Sequence, residues 1–475
     1  MRKFETDVQL LKYKVLREVA KHSWEGTEVF SVFDEIAKTI VKKGEPSNRC
    51  CIYKDRAIVA ERIRIALGGN KKNPNVIEVI DIACDECPKA GHVVTDLCRG
   101  CLAHACASKC KFGAITFDKE YKAHIDKSKC VECGQCANAC PYSAINNFKR
   151  PCERACKADA IHMAETEEAE INYENCVSCG ACVRACPFGA TVDKSYMVDI
   201  INLIRNSNNN EAYKVHAIVA PAFASQFDYA QLGQIVSAIK ELGFATVSEV
   251  AEAADIVAYK EARELVEKGF LTTSCCPAFV KYVETKFPEL TCHISHNLSP
   301  MGEMGSMLKE KDPNCKVVFI GPCVAKKAEA KLDKVKDFVD FVMTYEELQA
   351  LIDSKDIVIE DLPESLLDDA TGFGRGFARS GGVAAAVVQS IKEDDTIDFE
   401  VNPIACEGLD KCKAALMRAS KNVLLNNIIE GMACEGGCVG GAGNLSREEK
   451  FRKQVDRHAT DASIKTIKES VERHI

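Results

Sequence analysis

Apolar residues recur at helical spacing in the first eighty residues of the chain. The segments "VFDEIAKTIVKKG" and "AIVAERIRIALGG" place apolar side chains every three or four residues, and each ends at glycine, as capped amphipathic helices do. We therefore predict a helical N-terminal segment over residues 1–80. From about residue 205, apolar runs such as "KVHAIVAPA" and "KVVFIGP" alternate with amphipathic stretches. This alternation predicts an α/β domain with buried, largely parallel strands over residues 205–475.

A cysteine-rich segment that repeats itself lies between these two regions. The motif "FGAI", or a variant of it ("YSAI", "ADAI", "FGAT"), follows four cysteine groups that end at Cys110, Cys140, Cys156 and Cys186. Such short repeats have cores too thin to fold without inorganic content. We predict ferredoxin-like iron–sulfur modules over residues 81–204, and hence an α+β multidomain protein.

Composition and charge limit the classes of function. The chain has 475 residues, a net charge of -8 and no basic stripe, so we expect no nucleic-acid partner, because phosphate contact needs a basic face. The opening "MRKFETDVQLLKYK" lacks the apolar core of a signal peptide, and no long uncharged apolar run follows. We expect a cytoplasmic protein with no membrane partner. In that reducing compartment, 27 cysteines indicate metal binding rather than disulfides.

Two cysteine runs have the spacing C-x2-C-x2-C-x3-C-P. They are "CVECGQCANACP", with Cys130, Cys133, Cys136 and Cys140, and "CVSCGACVRACP", with Cys176, Cys179, Cys182 and Cys186. This is the bacterial ferredoxin pattern, in which three thiolates hold one 4Fe-4S cubane and the fourth reaches a neighbouring cubane. A structural zinc site is the alternative. By the crossing rule, we expect the first three cysteines of each run to share a cubane with the last cysteine of the other run.

Eight further cysteines in this segment have looser spacing. They are Cys84, Cys87, Cys98, Cys101, Cys106, Cys110, Cys152 and Cys156. With the two regular runs they make sixteen thiols, as many as four cubanes require, so we expect two to four 4Fe-4S clusters. The alternative is one additional cubane together with a zinc ion or unused thiols.

Three cysteine motifs occur in the expected α/β domain. They are "TSCCPAF" with Cys275 and Cys276, "GPCVAKKAE" with Cys323 and Lys326, and "EGMACEGGCVGGAG" with Cys434 and Cys438. Cys323 follows a strand-like run and Pro277 opens an apparent helix, so these thiols lie at element ends, where active sites gather. Four ligands from three loops would bury a cubane inside the domain. Unrelated buried thiols are the alternative interpretation.

In this order, the three motifs resemble those of the iron-only (FeFe) hydrogenases over about residues 214–445. The resemblance implies a hydrogenase catalytic domain that holds the H-cluster, a cubane joined through one cysteine to a diiron unit with carbon monoxide, cyanide and a dithiolate. Dedicated maturation enzymes would build the diiron unit. The cubane ligands that the resemblance implies are Cys276, Cys323, Cys434 and Cys438, with Cys438 as the bridge.

The resemblance also implies roles for residues around the H-cluster. Lys326 would donate to a cyanide, and Met432 would pack against the diiron unit. Gly436 and Gly437 would let the backbone close around a bulky centre. The other lining residues that it implies are Ser299, Ala220, Pro221 and Pro322.

A proton path is implied as well. Cys275 would be a free thiol that passes protons between the open iron site and a relay to solvent. The relay would consist of Glu261, Ser295 and Glu264; Glu261 and Glu264 share a helix face at i,i+3. Ordinary surface charges are the alternative for the two glutamates.

Several positions depart from the family pattern. Met301 stands where well-studied members have Gln, Gly321 where they have Met, and Phe279 where they have Trp. We therefore expect a less-studied branch of the family with altered packing around the diiron unit. The "GFGRG" segment follows an acidic loop rather than a strand, so we do not expect a nucleotide site.

The expected function is an oxidoreductase that reversibly converts protons and electrons into dihydrogen. It would exchange electrons with ferredoxin or flavodoxin through its cubanes. The main alternative is a non-catalytic relative, either a hydrogen sensor or an iron–sulfur scaffold protein. Cys275, Lys326 and Met432 favour the enzyme, because a protein that holds only a cubane needs none of them.

Overall fold

The computed structural model describes residues 4–44, 49–85, 87 and 90–474. Its N-terminal part is helical, as the apolar spacing predicts. Thr6 caps the first helix, because its side chain accepts a hydrogen bond from the Gln9 amide at 3.2 Å. The helices are α1 (Asp7–Trp24), α2 (Phe33–Ile40) and α3 (Ile52–Ala66).

The cysteine-rich region is built from short helices and two-stranded sheets. Its strands are β1 (Ile77–Val79), β2 (Gly91–Val94), β3 (Ile115–Phe117), β4 (Ala123–Ile125), β5 (Ile145–Phe148), β6 (Ile161–Met163), β7 (Ala169–Ile171) and β8 (Thr191–Asp193). Its helices are α4 (Ala105–Lys109), α5 (Gln135–Ala139), α6 (Pro151–Ala155), α7 (Ala181–Ala185) and α8 (Met197–Asn206). The antiparallel pairs are β1 with β8, β2 with β5, β3 with β4, and β6 with β7.

These pairings show that one module is inserted into another. We call residues 91–148, with β2 to β5, the inserted module. The strands that flank it in sequence form the host module, which comprises residues 77–85, 87 and 150–193. Because β1 pairs with β8, the two parts of the host module close around the point of insertion.

The C-terminal region contains two parallel sheets surrounded by helices. Its strands are β9 (Val215–Val219), β10 (Thr246–Glu249), β11 (Leu271–Thr272), β12 (Lys316–Gly321), β13 (Phe341–Thr344), β14 (Pro403–Glu407) and β15 (Ile428–Met432). Its helices are α9 (Leu232–Glu241), α10 (Val250–Lys268), α11 (Pro277–Lys286), α12 (Pro300–Lys311), α13 (Val324–Glu329), α14 (Tyr345–Ser354), α15 (Gly372–Gly376), α16 (Gly382–Lys392), α17 (Leu409–Ala419), α18 (Glu449–Thr460) and α19 (Ile467–Glu472). In the described ranges, no helix is long and apolar enough to cross a membrane.

The strand order explains the apolar runs of the sequence. One sheet has the order β10-β9-β12-β13 and the other β11-β15-β14, and all their pairings are parallel. On β12, Val318 lies opposite Ala217 and Phe341. Val215, Ala217 and Val318 are fully buried, because helices cover both faces of such a sheet. The prediction of an α/β domain with buried parallel strands is confirmed.

The motifs of the C-terminal region follow the carboxyl ends of these strands. β9 leads into Ala220 and Pro221, and β12 leads into Pro322 and Cys323. In the second sheet, β11 precedes the two cysteines of "TSCCPAF" and β15 precedes Cys434. Since the carboxyl ends of parallel strands meet at one edge, the topology gathers the loops of each sheet. The thiols of the two sheets are also close enough for their charges to interact, as Cys276 and Cys323 do.

A buried ion network joins the three regions. Lys12 on α1 lies 2.6 Å from Asp193 of the host module and 2.7 Å from Glu346 on α14. Lys327 on α13 lies 2.8 Å from Asp193 and 2.9 Å from Glu347. Burial alone would raise the pKa of Asp193, but the two lysines hold this pKa below its usual range. The network therefore fixes how the N-terminal helices, the host module and the C-terminal region meet.

Candidate iron–sulfur sites and active site

Pairs of short helices organise the sixteen thiols of the cysteine-rich region. Helices α4 and α5 contact each other in the inserted module, and α6 and α7 do so in the host module. Each helix is followed by a cysteine whose sulfur accepts a backbone hydrogen bond from an alanine four residues later. These bonds run from Ala114 to Cys110, Ala144 to Cys140, Ala160 to Cys156 and Ala190 to Cys186, at 3.2–3.4 Å. The repeated "AI" of the sequence thus begins with the alanine that donates to a thiol.

The expected crossing of cysteines between the two regular runs is wrong. Burial raises the pKa of Cys136, and the nearby thiols that raise it further are Cys130 and Cys110, not Cys186. Cys179 likewise faces Cys176 and Cys156. The reason is the insertion, because the run at residues 130–140 lies in the inserted module and the run at residues 176–186 lies in the host module. The four groups are Cys101, Cys106 and Cys140, to which the loop spacing adds Cys98; Cys130, Cys133, Cys136 and Cys110; Cys84, Cys87, Cys152 and Cys186; and Cys176, Cys179, Cys182 and Cys156.

The spacing of these thiols bears on the kind of metal that they could hold. Across the part of the chain that the structure describes, no three His, Cys, Asp or Glu side chains converge on a position for a single metal ion. A cubane differs in geometry from a single ion, because each of its four irons takes a different thiolate. Four groups of four thiols therefore match the ligand requirement of cubanes.

The four thiols of the C-terminal motifs come together at the sheet edge. Cys276 precedes α11 and Cys323 precedes α13, while Cys434 and Cys438 flank a glycine-rich turn. Burial, followed by the charges of Cys276 and its neighbours, raises the pKa of Cys323 to about 11 and that of Cys438 to about 12. Four thiols that come together in this way fit an iron–sulfur cluster, since metal binding is what makes a buried thiolate stable.

Backbone conformation and close packing explain the glycines of the third motif more directly than the cluster does. Gly436 and Gly437 both have positive φ, +81° and +79°, a backbone conformation that residues other than glycine rarely adopt. A Cβ on Gly437 would lie 2.8 Å from the carbonyl oxygen of Ala378 and 2.8 Å from the amide of Ser380. The absent side chain thus lets the turn before α16 pack directly onto the segment between the two cysteines.

Lys326 is a buried cation beside the thiols. Its Nζ donates to Ser299 Oγ at 2.8 Å and lies 2.6 Å from Glu329 Oε2. Burial alone would lower the pKa of Lys326, but Glu329, followed by Cys323 and Cys275, raises it. The ammonium group therefore stays charged and is available to an anionic ligand.

Hydrogen bonds connect the residues of the expected proton path in two groups, Glu261 with Ser274 and Ser295 with Glu264. Glu261 is 0% exposed, and its Oε1 accepts from the Ser274 amide at 3.1 Å and hydroxyl at 3.2 Å. Its Oε2 is buried with no partner among the described residues. Ser295 donates to Glu264 Oε2 at 2.9 Å, and Glu264 reaches Lys268 at 2.7 Å near the surface.

Burial and neighbouring charges give the groups of this series different pKa values. It raises the pKa of Glu261 to about 7 and raises that of Cys275 well above its usual range, with the charge of Glu261 adding to the effect. For Glu264, burial acts in the same direction, but Lys268 and the His296 amide lower the pKa overall. Near neutral pH, Cys275 thus holds its proton, Glu261 is populated in both protonation states, and the outer carboxylate of Glu264 is ionised.

The residues at the departures from the family pattern are buried in the core. A Cβ on Gly321 would lie 2.5 Å from the ring of Phe319, which occupies the space of a larger side chain at that position. Phe279 packs so closely on Gly431 that a Cβ there would lie 2.3 Å from its ring. Met301 is buried in the same apolar cluster as Ala220, and Met432 in the same cluster as Cys275.

Three residues of the site escape sequence-based reasoning. Ser274 donates to Glu261, and Tyr345 donates to the Ala220 carbonyl at 2.9 Å. Glu430 is buried and accepts from the amides of Gly381 and Ala384, both at 2.8 Å. Ser274 and Glu430 lie inside the quoted motifs, but their partners depend on turns that the motifs do not specify.

A cavity of about 600 Å³ connects the host module with the active-site thiols. Its lining includes Cys179 and Gly180 of the host module, and Cys434 and Gly436 of the glycine-rich turn. The Cys434 thiol is close enough to Cys179 for their charges to interact. One thiol group of the host module therefore lies next to the candidate active site.

Comparison with known proteins agrees with this architecture. Residues 213–442 match the family model "Iron only hydrogenase large subunit, C-terminal domain". Iron hydrogenase 1 of Clostridium pasteurianum is 30% identical over 72% of this chain and 68% of its own length. The chain belongs to the iron-only hydrogenase family. Another family member, the periplasmic [Fe] hydrogenase large subunit of Nitratidesulfovibrio vulgaris, is 30% identical over 69% of this chain and 87% of its own.

Other matches cover parts of this hydrogenase family member. Residues 97–144 match a 4Fe-4S dicluster domain and residues 129–189 a 4Fe-4S double cluster binding domain. The solved [FeFe]-hydrogenase HydA(deltaEFG) has a TM-score of 0.50 and 20% identity, and the match covers 59% of this chain and 93% of that one. The cytosolic Fe-S cluster assembly factor NAR1 of Kluyveromyces lactis is 30% identical over 34% of this chain and 36% of its own length. The predicted fold class, with ferredoxin-like modules and a hydrogenase catalytic domain, is confirmed.

Proposed function

We propose that this protein is an active FeFe hydrogenase that reversibly converts protons and electrons into dihydrogen at an H-cluster. Cys276, Cys323, Cys434 and Cys438 would hold the cubane of the cluster. The observation that carries the proposal is the series of buried polar groups beside these thiols. Cys275, Glu261 and Lys326 are costly to bury, and a protein that holds only a cubane gains nothing from them.

Lys326 and Ser299 would hold the diiron unit in place. The H-cluster, when bound, would supply the redox chemistry and the open site at which dihydrogen is formed or split. Lys326 keeps its charge in a buried position, where a cation binds an anionic cyanide more strongly than it would in water. Ser299 fixes the direction of the ammonium group through its hydrogen bond.

Cys275 and Glu261 would move protons between the cluster and the surface. A carboxyl group with a pKa of about 7 is populated in both protonation states near neutral pH, as proton exchange requires. The pKa of Cys275 lies high, so its thiol remains protonated between transfers. Ser295 and Glu264 would complete the path, because Glu264 already bonds to Lys268 near solvent.

Electrons would reach the catalytic cubane from ferredoxin or flavodoxin through the other 4Fe-4S clusters. The host-module thiols beside Cys434 would make the last transfer. The inserted module is the better surface for a carrier, because large apolar side chains are exposed around its thiols. They are Leu97, Leu102, Phe112, Tyr121, Val131 and Tyr142.

Three further expectations belong to this proposal. The diiron unit would require maturation enzymes as partners. A cytoplasmic location suits a chain with 27 cysteines, because the proposed cluster ligands must stay reduced to bind iron. We also propose that the chain consists of three domains, a helical N-terminal segment at residues 1–80, an iron–sulfur region at residues 81–204 and a catalytic domain at residues 205–475.

The alternative is a non-catalytic relative that kept the cubane and lost the diiron unit. Similarity to the assembly factor NAR1 supports it, as do the changed residues Met301 and Gly321. The two functions differ in a simple assay, hydrogen evolution from reduced methyl viologen after anaerobic co-expression with maturation enzymes. We expect turnover in the matured protein and none in protein made without those enzymes. Equal, negligible rates in both preparations would favour the alternative, provided that a reference hydrogenase matured in parallel is active.

A further inference from the structure

Two arginines, Arg62 on α3 and Arg150 of the host module, are buried without a carboxylate partner among the described residues. Arg62 is 5% exposed and Arg150 is 1% exposed. Within residues 4–44, 49–85, 87 and 90–474, neither forms an ion pair. The Nε atoms of both arginines and Nη1 of Arg150 are buried with no hydrogen-bond partner. A buried cation is normally paired with an anion, because desolvation of a lone charge is costly.

Among the described residues, the acceptors that these guanidinium groups reach are backbone carbonyl groups. Arg62 Nη2 donates to the carbonyl oxygen of Gly189 at 2.8 Å and to that of Phe188 at 3.3 Å. Arg150 Nη2 donates to the carbonyl oxygen of Glu167. Burial lowers the pKa of Arg62 to about 10, so this side chain is still charged at neutral pH. Carbonyl dipoles alone therefore leave two full positive charges uncompensated.

Both arginines border the same group of thiols. We call this group the arginine-flanked site; it consists of Cys84, Cys87, Cys152 and Cys186. Phe188 and Gly189, which accept from Arg62, come two and three residues after Cys186 in the chain, and Cys186 acts electrostatically on Arg62. Arg150 precedes Cys152 by two residues and acts electrostatically on Cys84 and Cys87.

We propose that the arginine-flanked site holds a 4Fe-4S cubane for which Arg62 and Arg150 are the counter-charges. A cubane with four thiolate ligands carries a net negative charge, which increases by one on reduction. Two nearby cations in a buried environment stabilise the reduced form more than the oxidised form. This cubane is then easier to reduce than the other cubane of the host module.

This difference gives the site a role in electron supply, which rests on the proposed function. Cys152 is close enough to Cys182 of the second host-module group for their charges to interact, and that group lies beside the active site. A cubane that stays reduced at this position stores one electron while a carrier delivers the next. Dihydrogen formation needs two electrons. The electron held at the arginine-flanked site would be one transfer away from the last cubane of the host module.

The experiment is an EPR-monitored redox titration of the full chain with its iron–sulfur clusters but without maturation of the diiron unit. It requires no turnover, so it can fail while the proposed function holds, and the reverse. In Arg62→Met and in Arg150→Met, we expect one cubane signal to titrate at lower potential. Its reduced-to-oxidised ratio at fixed potential should fall about tenfold or more, which is ~59 mV per tenfold for one electron.

Two variants assign and control this shift. Cys87→Ser should alter the same signal, because Cys87 belongs to the arginine-flanked site alone. Arg184→Met removes an exposed arginine of the same module and should leave every midpoint unchanged. A shift of equal size in Arg184→Met would overturn the proposal, as would a zinc ion in place of iron at the site.

Lysine variants keep the test decisive if a methionine variant loses iron. Arg62→Lys and Arg150→Lys retain the charge, so we expect both to keep the cubane and its wild-type midpoint. Loss of four irons per chain from the lysine variants too would mean that the arginines act through shape alone, and would overturn the proposal. Unchanged midpoints in both methionine variants with full iron content would overturn it as well.

Discussion

Lys326 and Lys327 are adjacent in one motif, yet their environments differ. Lys327 is 0% exposed and uses all three of its donors, toward Asp193, Glu347 and the carbonyl oxygen of Lys194. Among the described residues, Lys326 contacts Ser299 and Glu329, which leaves one of its three donors for another group. A fully satisfied buried cation holds regions together, whereas an incompletely satisfied one marks a place for a ligand.

The same contrast extends to the surrounding acids. Asp193 is held below its usual pKa by two lysines, so it is a permanent anion of the structure. Glu261 has an unpartnered oxygen and a pKa of about 7, so its charge changes near neutral pH. Substitutions in the first network should therefore affect stability, and substitutions near Cys275 should affect turnover.

The largest effect is expected from Cys275→Ala. Loss of a positioned proton donor costs roughly two to four orders of magnitude in rate, and we expect about a thousandfold loss of hydrogen evolution from methyl viologen. Iron content and unfolding midpoint should remain those of the wild type. Cys292→Ala, which removes an exposed thiol, is the matched control. Full activity of Cys275→Ala would exclude this thiol from the proton path.

Lys327→Met should instead destabilise the fold. Removal of this cation leaves Asp193 and Glu347 with too little positive charge, and breaking a buried pair in this way costs about 3–5 kcal/mol. Anaerobic urea unfolding of the cluster-loaded chain measures the effect. Lys334→Met, at an exposed position nearby, should change the free energy of unfolding by less than about 0.5 kcal/mol. A stable Lys327→Met protein would show that the network does not join the regions.

Glu261→Gln should change how stability depends on pH. Because folding raises the pKa of Glu261 from 4.5 to about 7, its protonated form stabilises the fold fully below pH 4.5, and this contribution is lost as the pH rises to about 7. Glutamine stays neutral, so the variant should gain about 3 kcal/mol relative to wild type between pH 4 and pH 8. Unfolding midpoints at the two pH values measure it, and parallel pH profiles would contradict the raised pKa.

The smallest effect is expected at the surface of the inserted module. Leu102 is 96% exposed, and Leu102→Ser should raise KM for ferredoxin by a few fold, since one apolar contact is worth about 1 kcal/mol. The rate with methyl viologen should not change. Leu366→Ser, exposed in the C-terminal region, is the control. An equal rise in KM for both variants would place the carrier elsewhere.

Much of this architecture follows from patterns in the sequence. The apolar runs at β9 and β12 indicate buried strands, because a strand covered by helices on both faces of its sheet has apolar residues at nearly every position. Cys323 could be placed at the sheet edge because it directly follows such a run. Its motif, and those of Cys276 and Cys438, also carried the family assignment, which the comparisons show.

The grouping of the other cysteines was not accessible in the same way. Spacing shows which thiols share a loop, but the insertion of residues 91–148 decides which loops meet, and only the pairing of β1 with β8 reveals it. The burial of Arg62 could not be predicted from the sequence, because an arginine in an amphipathic helix normally faces solvent. Its burial depends on the position of Gly189, which is 127 residues away.

Infrared spectroscopy of anaerobically matured protein tests the central claim most directly. Carbon monoxide and cyanide ligands absorb in a region where protein does not, so their bands report the diiron unit itself. We expect sharp bands in the matured protein that shift under dihydrogen and are absent from protein made without maturation enzymes. No bands in iron-loaded protein, when a reference hydrogenase matured in parallel shows them, would contradict an H-cluster at these four cysteines.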